Sequence, residues 1–275
     1  PRIHRRARLI RTGMAAHTLR WYAGVVLLVV LAGGCTGTSA REEKVTLSVF
    51  AASSLTDVMP ELAETFERAH PDVDLRVTFA GSQVLRLQIE QGASVDVYAS
   101  ANDAHMNALE DSGHVLRSHT LASTDLVIIV PPDNPAGIER FDQLTQAERI
   151  VVGTRFVPIG AYTDAVLNNA SVVLGDDFAA GVRDRIASME SNVRLVRAKV
   201  ELGEADAAFV YRTDALNRDR VRVVPIPDEV NVEARFRIAL TSETRRGPEA
   251  ERLLDFLASP PAREIFRAHG FTGAG

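Results

Sequence analysis

VTLSVFAASSLTDVMPELAETFERAH (residues 45–70) contains a strand pattern followed at once by a helix pattern. Residues 45–50 alternate between apolar and polar side chains, as a half-buried strand does. The helix is expected to end near His70, because a residue that precedes a proline disfavours helical backbone. The apolar residues of the helix share one face, at the spacing of Leu55, Val58, Met59, Leu62 and Phe66.

The same succession of patterns continues along the chain. Residues 75–79 form a second strand pattern, a helix pattern opens at Gly81 and Ser82, and residues 95–99 form a third strand pattern. Strand, helix and strand at this spacing predict parallel βαβ units, and therefore an α/β protein. The run at 126–130 is apolar enough for a strand buried on both faces. Further strands are predicted at 150–152, 207–211, 221–226 and 236–240.

Several of these strands end in small or polar residues where a helix begins. Ligands of open α/β sheets bind at such strand ends, and helix starts offer free N–H groups that suit an anion. Ser54 and Ser82 lie at such positions, but a serine there is equally well explained as a helix N-cap. Residues 157–160 fit a loop before a helix, and Tyr211 fits a core tyrosine. On spacing alone, these residues predict no particular ligand.

The first 34 residues predict a secretory signal peptide. They carry six arginines and no acidic residue, and they end in the apolar run WYAGVVLLVVLA (21–32) followed by two glycines. A basic start, a short apolar run and small residues before a cleavage site define such a peptide. The run is shorter than the roughly 20 apolar residues that a membrane span needs. We expect translation to start at Met14.

Cys35, the single cysteine, follows these glycines as in a bacterial lipobox. The chain resembles that motif except that Leu31 lies four positions before the cysteine, where the consensus has three. The resemblance implies an exported lipoprotein that is lipidated at Cys35, with residues 35–44 as a polar tether. An ordinary signal peptide with a chance cysteine, or a short uncleaved anchor, is the alternative. One cysteine excludes a disulfide within the chain and a cysteine-based metal site.

Composition and spacing narrow the remaining classes. Outside residues 1–34, 25 basic residues stand against 36 acidic ones, a formal charge of −11. This balance argues against nucleic-acid binding, which depends on basic surface. Neither an HExxH spacing, a GxSxG elbow nor a P-loop occurs, so an enzyme is not predicted. The nearest histidine cluster, His105, His114 and His119, is interpreted as solvated surface histidines, and no cofactor is expected.

Residues 44–273 resemble the molybdate-binding proteins of bacterial molybdate ABC transporters, which have the two-lobed type II periplasmic-binding-protein fold. The resemblance implies lobe 1 at 41–123 and 229–275, and lobe 2 at 124–228, joined by two crossing strands. It also implies a monomer that binds molybdate or tungstate and delivers it to a membrane permease. The motifs that carry it are VFAASSLTDVMPELAETFE (49–67), FAGSQVLRLQIEQGASVDVYASAN (79–102), VPIGAYTDAVL (157–167), NVR (192–194), AAFVYRTDAL (207–216) and EIFRAHGFT (264–272).

The resemblance implies five oxyanion-binding residues when it is carried over position by position. Ser54 and Ser82 would supply hydroxyl and backbone N–H donors. Ile159 and Val193 would supply backbone N–H groups alone, and Tyr211 would supply its phenolic O–H. The metal would be held through its oxygens, without a direct protein ligand. Ile159 replaces an alanine that is often found in this family, and the larger side chain bears on ion preference.

Other ligands and classes stay as alternatives. Sulfate or thiosulfate would suit a binding protein of the same fold. Ferric iron is disfavoured, because related iron-binding proteins use paired tyrosines and this chain has no adjacent pair. An enzyme on this fold, or the sensing domain of a regulator, is a more distant alternative.

Overall fold

The computed structural model describes residues 44–216 and 219–273. The predicted signal peptide (1–34), the start at Met14, the lipidation site Cys35 and the tether up to residue 43 lie outside the described residues. Within the described ranges, no helix is long and apolar enough to cross a membrane.

Strands and helices alternate along most of the chain. The strands are β1 (Val45–Ala52), β2 (Val73–Ala80), β3 (Val97–Ser100), β4 (Val115–Val130), β5 (Ile150–Gly153), β6 (Ile186–Glu190), β7 (Ala207–Tyr211), β8 (Arg222–Pro225) and β9 (Glu233–Thr241). The helices are α1 (Met59–Ala69), α2 (Ser82–Glu90), α3 (Asp103–Asp111), α4 (Pro158–Leu174), α5 (Asp176–Asp184), α6 (Val193–Glu201), α7 (Arg212–Ala215), α8 (Gly247–Leu257) and α9 (Pro260–Ala268).

The first helix begins later than the apolar spacing predicts. Leu55 ends a short 3₁₀ segment, Ser53–Leu55, and Val58 is the N-cap of α1. Pro60 lies in the first turn, where its missing N–H costs no helical hydrogen bond. Leu55 and Val58 are nevertheless buried together with the rest of the predicted apolar face. The pattern therefore identified the buried face correctly and the helix boundary wrongly.

Within the described residues, the strands form one mixed sheet in the order β2-β1-β3-β9-β4-β7-β5-β6, and β8 pairs with β4. β1 pairs in parallel with β2 and β3, and β5 pairs in parallel with β6 and β7. We call β2, β1 and β3 the first strand group, and β7, β5 and β6 the second strand group. These parallel groups, with helices between successive strands, confirm the predicted α/β class.

β4 and β9 connect the two groups. β9 pairs antiparallel with β3 and with most of β4, whereas the last part of β4, Leu126–Ile129, pairs with β7. Residues 126–130 are fully buried, as their apolar sequence predicts. The first part of β4 is also strand, although sequence periodicity does not reveal it. It carries many half-buried or exposed polar residues, and its pairing with β9 is made through the backbone.

One predicted lobe boundary falls on a connecting strand, and the other falls just before one. The boundary at 123–124 lies inside β4, and the boundary at 228–229 lies shortly before β9. The first strand group contains residues before the first boundary, and the second contains residues between the two. The division into lobes 41–123 plus 229–275 and 124–228 stays a prediction.

Asp206 fixes the amino ends of two neighbouring strands of the second group. Its carboxylate accepts hydrogen bonds from the backbone N–H groups of Glu148 and Arg149, at 2.9 and 2.8 Å, and from the Arg149 guanidinium at 2.8 Å. Ile150 and Ala207, the next residues on either side, are partners in the β5–β7 ladder. Burial alone would raise the pKa of Asp206, but these hydrogen bonds outweigh it and hold the pKa below its ordinary value.

We predict that Asp206→Asn lowers the free energy of unfolding by about 1–3 kcal/mol at pH 7, because charge-assisted hydrogen bonds are lost. A carboxyl with a depressed native pKa stabilises the fold above its unfolded-state pKa of about 3.9. That stabilisation is lost as the pH falls through the lower native pKa. Urea unfolding of both proteins should therefore show a gap at pH 7 that narrows towards pH 3.

Asp142→Asn is the matched control, since Asp142 also pairs with an arginine, Arg140, but on the open surface. This variant should change stability little. An equal loss in both variants would contradict the role assigned to Asp206.

Candidate ligand-binding site

One pocket contains all five residues that the resemblance implies. The cavity itself is small, about 10 Å³, against the roughly 300–1,000 Å³ of sites that bind drug-sized molecules. Its size therefore suits a solute of only a few heavy atoms. The pocket is lined by Ala52, Ser53, Ser54, Gly81, Ser82, Ala101, Val157, Pro158, Ile159, Asn192, Val193 and Tyr211.

The pocket lies where strands end and helices begin. Ser82 is the first residue of α2, Ile159 is the second residue of α4, and Val193 is the first residue of α6. N–H groups in the first turn of a helix have no acceptor within that helix. Each helix start also carries a partial positive charge. Three helices thus bring N–H donors and positive potential to one small space.

The serines are not N-caps. Gly81 is the N-cap of α2, and Ala52 precedes the 3₁₀ segment that contains Ser54. Neither segment has a side-chain capping hydrogen bond. The alternative explanation of Ser54 and Ser82 as simple caps is therefore wrong, and both side chains line the pocket instead.

The hydroxyl of Ser82 is oriented by its surroundings. Its Oγ accepts a hydrogen bond from the backbone N–H of Ala101 at 3.1 Å. The Ser82 carbonyl accepts another from the buried hydroxyl of Tyr98 at 3.0 Å, which anchors the start of α2 to β3. Because Oγ already accepts a hydrogen bond, its own hydrogen is left to donate towards an acceptor in the pocket.

Tyr211 is held by a row of aromatic rings. Its ring centroid lies 6.3 Å from that of Tyr162 and 5.5 Å from that of Phe236, both in edge-on contacts. Phe236 in turn contacts Phe271 at 5.3 Å, and Phe271 contacts Phe266 at 5.4 Å. This packing fixes the ring, so the hydroxyl at the carboxyl end of β7 has a defined position beside the pocket.

The Tyr211 hydroxyl is buried and has no hydrogen-bond partner among the described residues. Burial, followed by the nearby Tyr162 and Asp214, raises the pKa of Tyr211 well above its ordinary value, so the phenol stays protonated. A buried hydroxyl without a partner costs about 1–3 kcal/mol and needs an explanation. A bound solute that accepts a hydrogen bond provides one.

None of the residues that line the pocket is charged. Arg194 follows Val193 directly, but its guanidinium donates to Asp57 at 2.6 Å instead of lining the pocket. Arg197, one turn further along α6, lies near Glu201 and Asp214. The pocket therefore acts through neutral hydrogen-bond donors and helix starts.

Ile159 is placed by a tight contact between α4 and β5. A Cβ atom on Gly160 would lie 2.1 Å from the carbonyl oxygen of Thr154, so only glycine permits this approach. The Ile159 side chain is fully buried in the core, and its Cγ2 lies against Gly153. Ile159 thus packs as a core residue, while its position in the first turn leaves its N–H without an acceptor inside the helix.

The prediction of solvated histidines is corrected for this cluster, since His105, His114 and His119 are all half-buried. His105 is half-buried, and its Nε2 lies 2.9 Å from the carbonyl oxygen of Phe156. His119 is half-buried in β4. Burial lowers the pKa of both. Among the described residues, no group of three or more histidine, cysteine, aspartate or glutamate residues is arranged to hold a metal ion.

Asn192 is a site residue that the sequence reasoning did not single out. It is the N-cap of α6, and its Oδ1 accepts the N–H of Leu195 at 3.1 Å, which fixes the start of the helix at Val193. An asparagine directly before apolar residues at helical spacing is a recognisable start signal. That signal predicts the helix, but it does not reveal that the helix points at a ligand.

A pocket that combines these donors, without a charged or histidine side chain in its lining to activate a serine, suits the capture of a solute. The chain belongs to the bacterial extracellular solute-binding protein family, whose profile matches residues 47–272. At the level of this family, it is a solute-binding protein of an exported class rather than an enzyme.

Three related proteins illustrate the similarity. A putative ABC transporter substrate-binding lipoprotein of Bacillus subtilis is 31% identical over 253 residues, covering 88% of this chain and 94% of that protein. The molybdate-binding protein of Escherichia coli is 30% identical over 269 residues, covering 94% and 99%. The periplasmic molybdate-binding protein of Azotobacter vinelandii superposes with a TM-score of 0.72 at 20% identity, covering 83% and 100%. The predicted resemblance and the periplasmic-binding-protein fold are confirmed.

We predict opposite effects on stability from removing two buried tyrosine hydroxyls. Tyr211→Phe should leave the free energy of unfolding of the ligand-free protein unchanged or raise it, because the lost hydroxyl has no partner. Tyr98→Phe, the matched control, should lower it by about 0.5–1.5 kcal/mol, because a hydrogen bond to Ser82 is lost. Chemical denaturation measures both. A clear destabilisation by Tyr211→Phe would contradict the conclusion that this hydroxyl makes no hydrogen bond in the ligand-free protein.

Proposed function

We propose that the chain is an exported lipoprotein that captures molybdate or tungstate in this pocket and delivers it to the permease of an ABC importer. The donor set carries the proposal. Ser54, Ser82 and Tyr211 offer hydroxyls, and Ile159 and Val193 offer helix-start N–H groups, in one pocket without a charged side chain.

A dianion that is buried without a counter-charge has to be held by many hydrogen bonds. A hydrogen bond to a charged group contributes about 1.5–3 kcal/mol net. Several such bonds support a dissociation constant well below micromolar, since 1 μM corresponds to about −8 kcal/mol. The five residues therefore supply enough donors for tight binding of a tetrahedral oxyanion.

A site built from donors also selects against protonated ligands. An oxyanion that carries a proton would direct an O–H towards another donor, which leaves both groups without an acceptor. Phosphate is partly protonated near pH 7 and is disfavoured for this reason. Molybdate, tungstate and sulfate are fully deprotonated dianions there. The choice among these three dianions depends on their size. Ile159 bears on that choice, because it replaces the smaller alanine that is often found at this position in the molybdate-binding family.

The acidic surface does not oppose this ligand. Surface charges act over about 8 Å at physiological ionic strength, and the field inside the pocket comes from the helix starts. The formal charge of −11 outside residues 1–34 is therefore compatible with an anion as ligand.

The proposed mechanism is closure of two lobes around the anion. Ser54 and Ser82 belong to the predicted lobe 1 (41–123 plus 229–275), and Ile159, Val193 and Tyr211 belong to the predicted lobe 2 (124–228). A ligand that bonds to both would favour the closed form by a hinge motion. The permease would recognise that closed form of the monomer.

Export and membrane attachment rest on the amino-terminal sequence. The family is extracellular, and a relative 31% identical to this chain is described as a lipoprotein. Lipidation at Cys35 would keep the protein beside its permease on the outer face of the cytoplasmic membrane.

We predict that isothermal titration calorimetry gives tight binding of molybdate and tungstate, weaker binding of sulfate and negligible binding of phosphate at pH 7. Phosphate is expected to bind worst because it is partly protonated at this pH, and the other three ions are expected to be ranked by their size. A preference for sulfate would replace the proposed substrate with the alternative of the same fold. Measurable turnover of any ligand would contradict the class.

We also predict that Ser54→Ala and Ser82→Ala each weaken molybdate binding by about 1–3 kcal/mol, because one hydroxyl donor to a charged ligand is lost in each. Ser112→Ala is the matched control, since this serine lies at the end of α3 and bonds only to α3 carbonyls. The same calorimetry measures all three. A serine whose replacement leaves the affinity unchanged does not contact the ligand.

A further inference from the structure

Polar contacts span the pocket from residues of the predicted lobe 1 to residues of the predicted lobe 2, among them the three that follow and a longer one of 4.0 Å between Arg197 and Asp57. Arg194 donates to Asp57 at 2.6 Å, and the Gln83 amide donates to the Ser191 carbonyl at 2.8 Å. His105 Nε2 lies 2.9 Å from the Phe156 carbonyl oxygen. Each contact lies close in sequence to a pocket residue, and none is made by one of the five proposed ligand residues.

Gly81 shows how tightly the two sides meet. A Cβ atom at this position would lie 2.6 Å from the carbonyl oxygen of Ser191. The backbone φ of Gly81 is −63°, which any residue adopts. Close approach to the opposite side, rather than backbone conformation, is therefore what requires a glycine here.

Asp57 and Arg194 form the only pair of full charges among these three contacts. Asp57 lies three residues after Ser54, between the 3₁₀ segment and α1, and Arg194 lies next to Val193 at the start of α6. Their side chains are 34% and 27% exposed. The ion pair is thus partly shielded from water and ties the segment of Ser54 to the helix of Val193.

The pair is part of a network that also reaches the segment of Tyr211, another of the proposed ligand residues. Arg194 and Arg197 lie 3.9 and 3.8 Å from Oδ1 of Asp214, which is buried in α7 three residues after Tyr211. Arg197 also donates to the Asp214 carbonyl at 2.9 Å. Asp57 is the member of this network that comes from the other side of the pocket.

We infer that Asp57 and Arg194 are positioning residues. Their ion pair holds the segments of Ser54, Val193 and Tyr211 at the separation at which all three can contact the oxyanion. The inference rests on the proposed function and deepens it. Loss of the pair removes the charged attraction between the two sides, so the ligand dissociates faster. The intact ion pair also gives the affinity a salt dependence that the neutral pocket does not supply, because a partly exposed ion pair is screened by salt.

The test compares wild type, Asp57→Asn, Arg194→Gln and the double variant in sodium molybdate titrations at low and high salt. Each single variant should weaken binding about three- to tenfold, which is the range of coupled charged pairs. The double variant should be no weaker than the weaker single variant. Stopped-flow kinetics should place the loss in the dissociation rate, and the salt dependence of wild type should be reduced in all three.

The thermal midpoint of the ligand-free variants and a control pair separate positioning from general stability. Asp72→Asn removes an ion pair with Arg252 at 2.8 Å, between residues that both belong to the predicted lobe 1. It should change neither affinity nor its salt dependence. Unchanged molybdate affinity in Asp57→Asn, or additive losses in the double variant, would overturn the inference while the proposed function stands.

Small-angle X-ray scattering keeps the two proposals distinguishable. If wild type bound none of the four oxyanions, the proposed function would fail. The Asp57→Asn variant should then still have a larger radius of gyration than wild type without any ligand, because the ion pair itself favours the closed form of the ligand-free protein. An unchanged radius in that case would overturn the inference as well.

Discussion

N–H groups at the first turn of a helix have no acceptor in their own helix, and in this chain three such turns meet at one pocket. α2, α4 and α6 each begin directly after a strand or a short loop, with Ser82, Ile159 and Val193 in their first turns. Parallel pairing of β5 and β6 brings the starts of α4 and α6 to the same edge of the second strand group, and the start of α2 from the first strand group meets them in the pocket. The glycines and tight loops beside the pocket are consequences of bringing helix starts so close together.

Tyr98, behind the pocket residue Ser82, and Tyr211, in the pocket lining, are both buried tyrosines with different hydrogen bonding. Tyr98 donates to the Ser82 carbonyl and thereby fixes the start of a helix. Tyr211 has comparable burial, yet its hydroxyl meets no partner among the described residues. The aromatic row from Tyr162 to Phe266 positions the ring without using the hydroxyl. The two tyrosines therefore differ in their hydrogen bonds rather than in their burial.

Sequence patterns predicted much of the fold and little of the site. The strand at 45–50 follows from alternation, because burial of one face imposes it. The strands at 126–130 and 207–211 follow from continuous apolar runs, because both of their faces are buried. The first part of β4 does not, because its partners lie more than a hundred residues away and its side chains alternate poorly. Ser54 and Ser82 have the local appearance of caps, and Val193 has no polar side chain, so the convergence of the five residues in one pocket could be predicted only from the resemblance to known binding proteins.

The use of backbone donors has a consequence for how such a protein diverges. The N–H groups attributed to Ile159 and Val193 persist after any substitution except proline, since every other residue carries the same group. The side chains at these positions are therefore free to serve the core, as Ile159 does against Gly153. A fold that presents backbone donors can therefore tolerate extensive sequence change, and a structure only 20% identical to this chain still superposes on it.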